Sequence, residues 1–539
     1  MKLIFCGAAH EVTGSCHYIN VCGKNILLDC GMEQGTDIYE NQEIPVPVSE
    51  IDYVFLSHAH IDHSGYLPLI FKNGFRGKIF TTKATADLCD IMLRDSAHIQ
   101  EFEAEWRNRK AKRSLEKPFE PLYTMNDAEG VIQLLMPCDY DEIINVCEGV
   151  DIQFTDIGHL LGSSSIKLWL SENGINKTIV FSGDIGNTDQ PLIEDPKYTD
   201  EADYVIMEST YGDRYHGERP DYYTALANMI QTTLDRGGNL VIPAFAVGRT
   251  QEILYFIRKI KADRMIKGHD GFKVYVDSPL AVEATNVFNK NTLDFYDEEA
   301  LELIKKGINP ISFEGLGVSV TSDDSRAINF DSEPKVIISA SGMCEAGRIR
   351  HHLKHNLWRP ESTILFVGYQ AEGTLGRMLL DGETSVKLFG EKIGVKAHIE
   401  KLDGVSGHAD KQGLIDWING FKEKPKRVFI VHGNDEVTDD FAEYLRKEYG
   451  YETFAPYSGA EVDLATNSII SQGVRKLVEQ HEEYTAKSKG AVRGENLYKE
   501  LEKAAARLKT VVSHNRGGAN ADLEILLNKI NALCDEWDR

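Results

Sequence analysis

Residues 55–68 read FLSHAHIDHSGYLP, which places His58, His60, Asp62 and His63 within six positions. Only 17 histidines occur among 539 residues, so three in one short stretch need an explanation. A solvated loop has no use for them, and a packed core would have to partner every ring nitrogen. Zinc takes imidazole nitrogen and carboxylate oxygen, and a catalytic zinc keeps one position open for water. His58 and His60 alternate, so they share a side where the chain is extended or turning. Asp62 and His63 fall on another side of the same loop. One metal on His58 and His60, and a second on Asp62 and His63, follows from that spacing. The loop alone completes neither shell.

The elements that must position further donors are visible as a repeated pattern. Short apolar, β-branched runs read as buried strands that stop at a polar residue or a glycine-containing turn. NILLDCG ends at Asp29, DYVFLSHAH at His58, TIVFSGD at Asp184, DYVIMEST at Glu208 and RVFIVHG at His432. Helical periodicity lies between several of them, as at 64–72 and 82–94. The alternation implies an α/β build with helices over sheets. In such folds ligands gather where loops leave the carboxyl ends of strands. One strand-end Asp is ordinarily a turn former or cap. Many strands delivering His, Asp or Glu to their ends is the pattern of one assembled site.

A second α/β section interrupts the first. It carries NLVIPAFAVGRTQEIL, KVYVDSPL, KVIISASGMCEAGRIRHHL and STILFVGYQAEGTLGR before histidine-bearing segments resume at SGHAD and VHGND. The expected organisation is a first domain split into 1–210 and 396–465 around an insert at 211–395. The stretch 466–539 is charged, and LYKELEKAAARLK and ADLEILLNKINALCDEW have helical spacing. It reads as a helical appendage suited to packing or to self-association as a homodimer.

Composition narrows the classes. Apolar content of 42% and charged content of 27% are those of a soluble globular protein. The start, MKLIFCGAAHEVTGSC, reads as a strand rather than a signal peptide, and no apolar run approaches the roughly 18 residues of a membrane span. Nine cysteines without a C-x-x-C pair suit a reducing, cytoplasmic setting and argue against a cysteine-based zinc site. The net charge of −25 excludes a broadly basic nucleic-acid face. A polyanion would have to be handled by bound cations or local basic patches. Arg107, Arg109, Lys110, Lys112, Arg113 and Lys117 form one patch, better read as a solvated face. Lys335, Arg348, Arg350, Lys354 and Arg359 form another.

On these residues the chain resembles the metallo-β-lactamase superfamily and, more narrowly, its β-CASP nucleases, over 1–465. The resemblance rests on the HxHxDH loop, strand-end Asp29, His159 in DIGHLLGSSSI, Asp184 in FSGDIGN, Glu208 in MESTYGDR, His408 in SGHAD and His432 in VHGND. It implies an α/β fold, a metallo-β-lactamase αββα sandwich with an inserted α/β β-CASP domain. It also implies two zinc ions (Zn2+) per chain, His159 completing the first shell, Asp184 bridging both ions and His432 completing the second. Asp29 is expected outside the ligand set, holding the other N–H of a ligating imidazole. Taken singly, His159 would be an ordinary buried histidine, Asp184 a turn residue and His432 a helix-entry cap. The metal reading requires that they converge. His10, His17, His216, His351, His352, His355 and His398 are expected to be structural or on the surface.

The resemblance further implies a zinc-dependent ribonuclease that hydrolyses phosphodiester bonds of single-stranded RNA, endonucleolytic with 5′–3′ exonucleolytic action as a further mode. A metal-activated hydroxide would attack, and the departing 3′ oxygen needs a general acid. His408 is the candidate acid, with Glu208 holding its tautomer and favouring its charged form. Asp62 would also position the nucleophile. In the family the position held by His432 is histidine in RNA-processing members and valine in DNA-repair members. The chain is therefore similar to bacterial and archaeal relatives of the polyadenylation cleavage subunit, without an obvious N-terminal KH module. Ser341, Gly342 and Arg348, with Gly248 and Arg249 at a helix start, are the candidate RNA-binding residues. Two rivals stand beside this reading: a thioester or lactam hydrolase of the same superfamily, and an RNA-binding scaffold without activity. The insert with Glu208 and His408 argues against the first, and the complete ligand set against the second.

Overall fold

Strands such as Lys2–Gly7 are apolar on both sides, and the packing explains why. Leu3 and Phe5 point into a core shared with a facing sheet, while Ile4 and Cys6 point to a separate core under helices. Ile26 and Leu28 divide from Leu27 in the same way, as do Ile179 and Phe181 from Val180. The two-residue period of a strand thus feeds two cores at once. The result is two sheets face to face with helices outside both, the αββα sandwich. The computed structural model describes residues 1–35, 39–111, 118–217, 221–402 and 406–477, with scattered residues between 508 and 531.

The first sheet has eight strands in the order Ser468–Gln472, Ala460–Asp463, Lys2–Gly7, Cys16–Val21, Lys24–Leu28, Tyr53–Phe55, Lys78–Thr82, Leu135–Cys138. The second has seven, in the order Thr453–Phe454, Arg427–Val431, Tyr204–Glu208, Ile175–Phe181, Ser164–Glu172, Val150–Asp156, Ile144–Cys147. Lys24–Leu28 and Tyr53–Phe55 run parallel, as do Ile175–Phe181, Tyr204–Glu208 and Arg427–Val431. Their carboxyl ends therefore open on common edges, and there the donor-bearing loops leave. The helix expected at 82–94 runs much further, from Lys83 to Ala111. Arg107 and Arg109 on its far half pair with Glu103 and Glu105 one turn earlier, so this part of the basic patch is a solvated ion-paired face. The rest of that patch, 112–117, lies outside the described residues.

A third sheet of six parallel strands forms the insert, ordered Leu316–Val318, Lys273–Val276, Lys335–Ser339, Leu240–Pro243, Thr363–Phe366, His398–Lys401. Its central strands LVIP, KVIIS and TILF are buried throughout, as a sheet covered on both faces requires. The sheet ends at Lys401, past the expected boundary at 395. His398–Lys401 is an edge strand with no buried residue, so no apolar run betrayed it. Likewise Ser468–Gln472 is a fully exposed edge strand of the first sheet, where the sequence pointed to the start of a helical appendage. Met1–Leu477 is one compact unit. In the remainder, LYKELEKAAARLK lies almost wholly outside the described residues, and residues 523–524 and 526–531 are helical.

Among the described residues, eight cysteines are free and no helix is long and apolar enough to cross a membrane.

Candidate metal centre

The loop after Tyr53–Phe55 is held in place by backbone pairing to neighbouring segments. Ser15, Cys30 and Met32 donate their N–H groups to the carbonyls of Asp62, His63 and Ile61 at 2.8, 2.8 and 2.9 Å. Gly31 lies so close beneath that a β-carbon there would sit 1.7 Å from the Asp62 carbonyl oxygen. Any other residue would push the loop away. Ser64 Oγ donates to the carbonyls of Ala59 and His60, closing the short helix Ile61–Ser64 that carries Asp62 and His63. His432 follows Arg427–Val431 with φ of 51°, a left-handed conformation held by its N–H bond to the Ala8 carbonyl.

Two groups of donors converge. His58 Nε2 and His159 Nε2 lie 3.1 and 3.2 Å from His60 Nδ1, and 3.3 and 3.5 Å from Asp184 Oδ2. In the second group His63 Nε2 and His432 Nε2 are 3.1 Å apart, and they lie 3.2 and 3.6 Å from Asp184 Oδ1. Asp62 Oδ2 is 3.7 Å from His432 Nε2 and 4.0 Å from His63 Nε2. One carboxylate thus turns an oxygen to each cluster.

The outer nitrogens of His58, His63, His159 and His432 each have a partner in the protein. His63 Nδ1 meets Asp29 Oδ2 at 2.7 Å, and Asp29 in turn accepts from Ser57 and Ser15. Ser57 Oγ is 3.1 Å from His58 Nδ1, the Gly407 carbonyl is 3.1 Å from His159 Nδ1, and Thr210 Oγ1 is 3.1 Å from His432 Nδ1. Such partners set ring orientation and leave the inner nitrogen free to donate its lone pair. Ser57, Thr210 and Gly407 escaped the sequence reading. Their only signal was adjacency to His58, Glu208 and His408.

Charge in the cluster follows from burial. Burial pushes the His58 imidazole down to about 3, and lowers His60 and His159 as well, so these rings are neutral. Burial alone would raise Asp184, but His432, His63 and His58 hold it well below the usual carboxylate range. Asp62 is lowered too, because the nearby His432 and His63 together outweigh burial. His17, wedged between Phe5 and Phe181, is pushed down to about 3 by burial and by His63 and His432 behind it. It is a neutral core histidine.

The donors fit zinc. Tetrahedral Zn–N bonds of 2.0–2.1 Å put neighbouring donors about 3.3–3.4 Å apart, close to the separations here. Asp184 Oδ1 is buried without an aligned hydrogen-bond donor, 3.2 Å from His63, whose charged form Asp184 and Asp29 together favour against burial. Beside both clusters sits a third pair. His408 Nδ1 lies 3.2 Å from Glu208 Oε1, while its Nε2 faces Asp184 Oδ2 at 3.9 Å. Burial would lower His408, but Glu208 and Asp184 outweigh that and raise it to about 9. Glu208 is fixed in turn by the N–H of Ile185 at 2.6 Å.

The expected RNA-binding residues lie in the insert. Gly248, φ 79°, caps the helix Arg249–Ala262, and a β-carbon there would come 3.1 Å from Leu160, next to His159. Arg249 pairs with Glu252. Arg348 donates to Asp277 Oδ1 at 2.8 Å and to the Val320 carbonyl at 2.6 Å. Both guanidinium groups are therefore engaged within the protein rather than held free for phosphate. Of the second basic patch, Lys335, Lys354 and Arg359 pair with Asp331, Glu391 and Glu361, and Arg350 donates to the Glu345 carbonyl. Ser341 and Gly342 lie in the loop after Lys335–Ser339.

Comparison with known proteins agrees with this architecture. The metallo-beta-lactamase superfamily model matches residues 11–75, the Beta-Casp domain model 250–379, and the Zn-dependent metallo-hydrolase RNA specificity domain model 392–456. Ribonuclease TTHA0252 of Thermus thermophilus is 35% identical over 439 residues, covering 81% of this chain and 94% of that protein. Transcription termination factor FttA of Methanocaldococcus jannaschii is 29% identical over 468 residues, covering 85% of this chain and 70% of its own. FttA of Pyrococcus abyssi is 31% identical over 416 residues, covering 75% and 61%.

Proposed function

Because this chain belongs to the β-CASP family of metallo-β-lactamase-fold hydrolases, we propose that it is a zinc-dependent ribonuclease that cleaves phosphodiester bonds of single-stranded RNA. The observation that carries the reading is the Asp184 carboxylate divided between two imidazole clusters, with the His408–Glu208 pair at its edge. His58, His60 and His159 would hold one zinc ion, Asp62, His63 and His432 the other, and Asp184 both. Bound there, the two ions would supply positive charge to the scissile phosphate and a nucleophile of lowered pKa.

The protein's own groups supply the rest. Asp62, on the rim of the second cluster, is placed to accept a hydrogen bond from the attacking water and aim it. Glu208 accepts a hydrogen bond from His408 Nδ1–H, and the Nε2–H is thereby presented towards the cluster. A ring whose pKa stands at about 9 carries that proton at neutral pH and gives it to the departing 3′ oxygen. Concentrating cations at the reacting phosphate also accounts for a net charge of −25 in a protein acting on a polyanion. The RNA-specificity model and the name of the Thermus thermophilus relative favour RNA over the thioester or lactam alternative. We further propose a cytoplasmic location, consistent with free cysteines, and self-association through the C-terminal segment, readable by light scattering with and without residues 478–539.

The test is to measure bound metal and then incubate end-labelled RNA and DNA with the protein and with His408→Ala. Zinc near two ions per chain with RNA cleavage is expected, and the label separates internal cuts from 5′–3′ trimming. RNA cleavage unchanged by the substitution would remove His408 from the mechanism. Turnover of a thioester or lactam without RNA cleavage would replace the substrate class, and RNA binding by a zinc-free protein would favour the scaffold.

A further inference from the structure

The connections of the insert's parallel sheet reverse the direction in which they cross it beside its central strand. From Leu240–Pro243 the chain crosses to Lys273–Val276 on one side, with Ile253 and Leu254 of the following helix packed on the face shared with Ile242. From Lys335–Ser339 it crosses back to Thr363–Phe366 on the other side, with Ile349 and Leu353 packed on the opposite face beside Ile337. Adjacent strands whose connections leave in opposite directions open a crevice beyond their carboxyl ends, and ligands of α/β sheets bind in that crevice.

Three loops meet there, and what they expose is aromatic. Phe245 is 49% exposed although its neighbours Ala244, Ala246 and Val247 are buried, and Tyr369 is 59% exposed. A lone exposed ring is commonplace, but this one has a seat. A β-carbon at Gly342 would come within 3.3 Å of the Phe245 nitrogen and 3.4 Å of its ring, and one at Gly368 within 3.9 Å. Glycines on both neighbouring loops let the ring lie against the backbone with its other side open.

The crevice is continuous with the candidate metal centre along two routes. Three residues after Phe245, Gly248 lies close enough to Leu160, beside His159, that a β-carbon there would come within 3.1 Å of it. From Tyr369, the Arg214 guanidinium is within electrostatic reach, stacks on Tyr211 at 5.4 Å, and Tyr211 in turn packs edge-on against His408 at 6.0 Å. A single strand whose phosphate lay at the metal centre would pass its flanking bases over these rings. Every base has a face to stack, and aromatic platforms of this kind hold single strands without reading sequence.

We propose that Phe245 and Tyr369 form a base-stacking seat for the nucleotides flanking the scissile phosphate. The inference rests on the nuclease reading and adds to it the residues that grip the strand. It assigns the grip to stacking, in keeping with arginines nearby that are already engaged with carboxylates.

The experiment uses the zinc-loaded full chain, end-labelled single-stranded RNA, and RNAs carrying one abasic ribose at successive positions around the cut. Phe245→Ala and Tyr369→Ala are each expected to raise KM on the order of tenfold, with kcat within about twofold and the thermal midpoint unchanged. Phe245→Trp should retain affinity, whereas Phe245→Leu, which keeps apolar bulk without a π face, should behave as alanine. An abasic site at the stacked position should cost the wild type the same factor and cost Phe245→Ala nothing. Normal cleavage in the variants, or abasic losses that persist in them, overturns the seat and leaves the nuclease reading intact. Base-dependent RNA binding that Phe245→Ala abolishes, in a protein that cleaves no RNA, keeps the seat and sinks the nuclease. No binding and no cleavage sinks both.

Discussion

Two buried carboxylates, one in each half of the unit, face histidines in opposite ways. Asp277, at the end of Lys273–Val276, takes Arg348 on one oxygen and His352 Nε2 on the other at 2.8 and 2.6 Å, with Ser325 beside them. The far nitrogen of His352 meets Asn329 at 2.9 Å, so both carboxylate oxygens and both imidazole nitrogens have their complements within the protein. Asp184 faces His58 and His159, held neutral by burial, on one oxygen and His63 and His432 on the other, and the outer nitrogens of these four rings already have partners. It keeps an oxygen without any donor. The first arrangement is a closed ion-pair network that locks the loop Ser339–Arg348 against its sheet. The second is open by one or more positive charges. A histidine–aspartate cluster signals a cation when its lone pairs converge on one another, and structure when they converge on protons.

The contrast breaks first at Asp184. Asp184→Asn should abolish RNA cleavage and empty the centre of zinc, measured by metal analysis, and chelation of the wild type should reproduce both effects. Retained zinc in that variant would mean the two clusters do not share the carboxylate. Next, His408→Ala should lower cleavage by about 10²–10⁴-fold at unchanged zinc content. The pH profile sharpens the same point. His408 is raised, so its acid form is present below its folded pKa and is lost as pH rises through it. Activity should therefore fall on the alkaline side at or below about 9, since cations neutralising Asp184 would remove part of the elevation. The alanine variant should lack that limb.

Asp277 gives the complementary result. Asp277→Ala strands Arg348 and His352 and should cost about 3–5 kcal/mol of stability, read by denaturant unfolding, with zinc content of the folded protein unchanged. Burial alone would raise the Asp277 pKa, but His352, Ser325 and Arg348 hold it well below its ordinary value. Its contribution is thus present above about pH 4 and lost as pH falls below that, so the variant should show a shallower acid limb. The smallest effect is expected at Asp29. Asp29→Asn leaves every ligand in place but weakens the hold on His63 Nδ1, and zinc affinity should drop about 10–100-fold.

The chain declared its donors locally. HxHxDH is a tight cluster, and the strand-end positions of Asp29, Asp184, Glu208 and His432 follow from apolar runs that stop at a polar residue. An α/β build with helices over sheets was equally readable, because strands buried on both sides write continuous apolar sequence, whereas the αββα sandwich was implied by the family resemblance. Strands without that signature, Ser468–Gln472 and His398–Lys401, were read as something else because edge strands bury little. His352 and Asp277 gave no sign of their partnership, since RHHLK and VDSPL look like ordinary helix and turn.

What the residues by themselves determined was therefore the chemistry on offer: which side chains can ligate and which strands carry them. Only the tertiary structure decided that His63 and His432, 369 positions apart, bring Nε2 atoms within 3.1 Å, or that Asp184 faces both clusters. It also decided that Arg348 is bound to Asp277 while Phe245 stands open at a sheet's turning point. Ligand type is a property of one residue and its neighbours. Convergence depends on strand order and on the packing of one sheet against another, which no local stretch of chain contains.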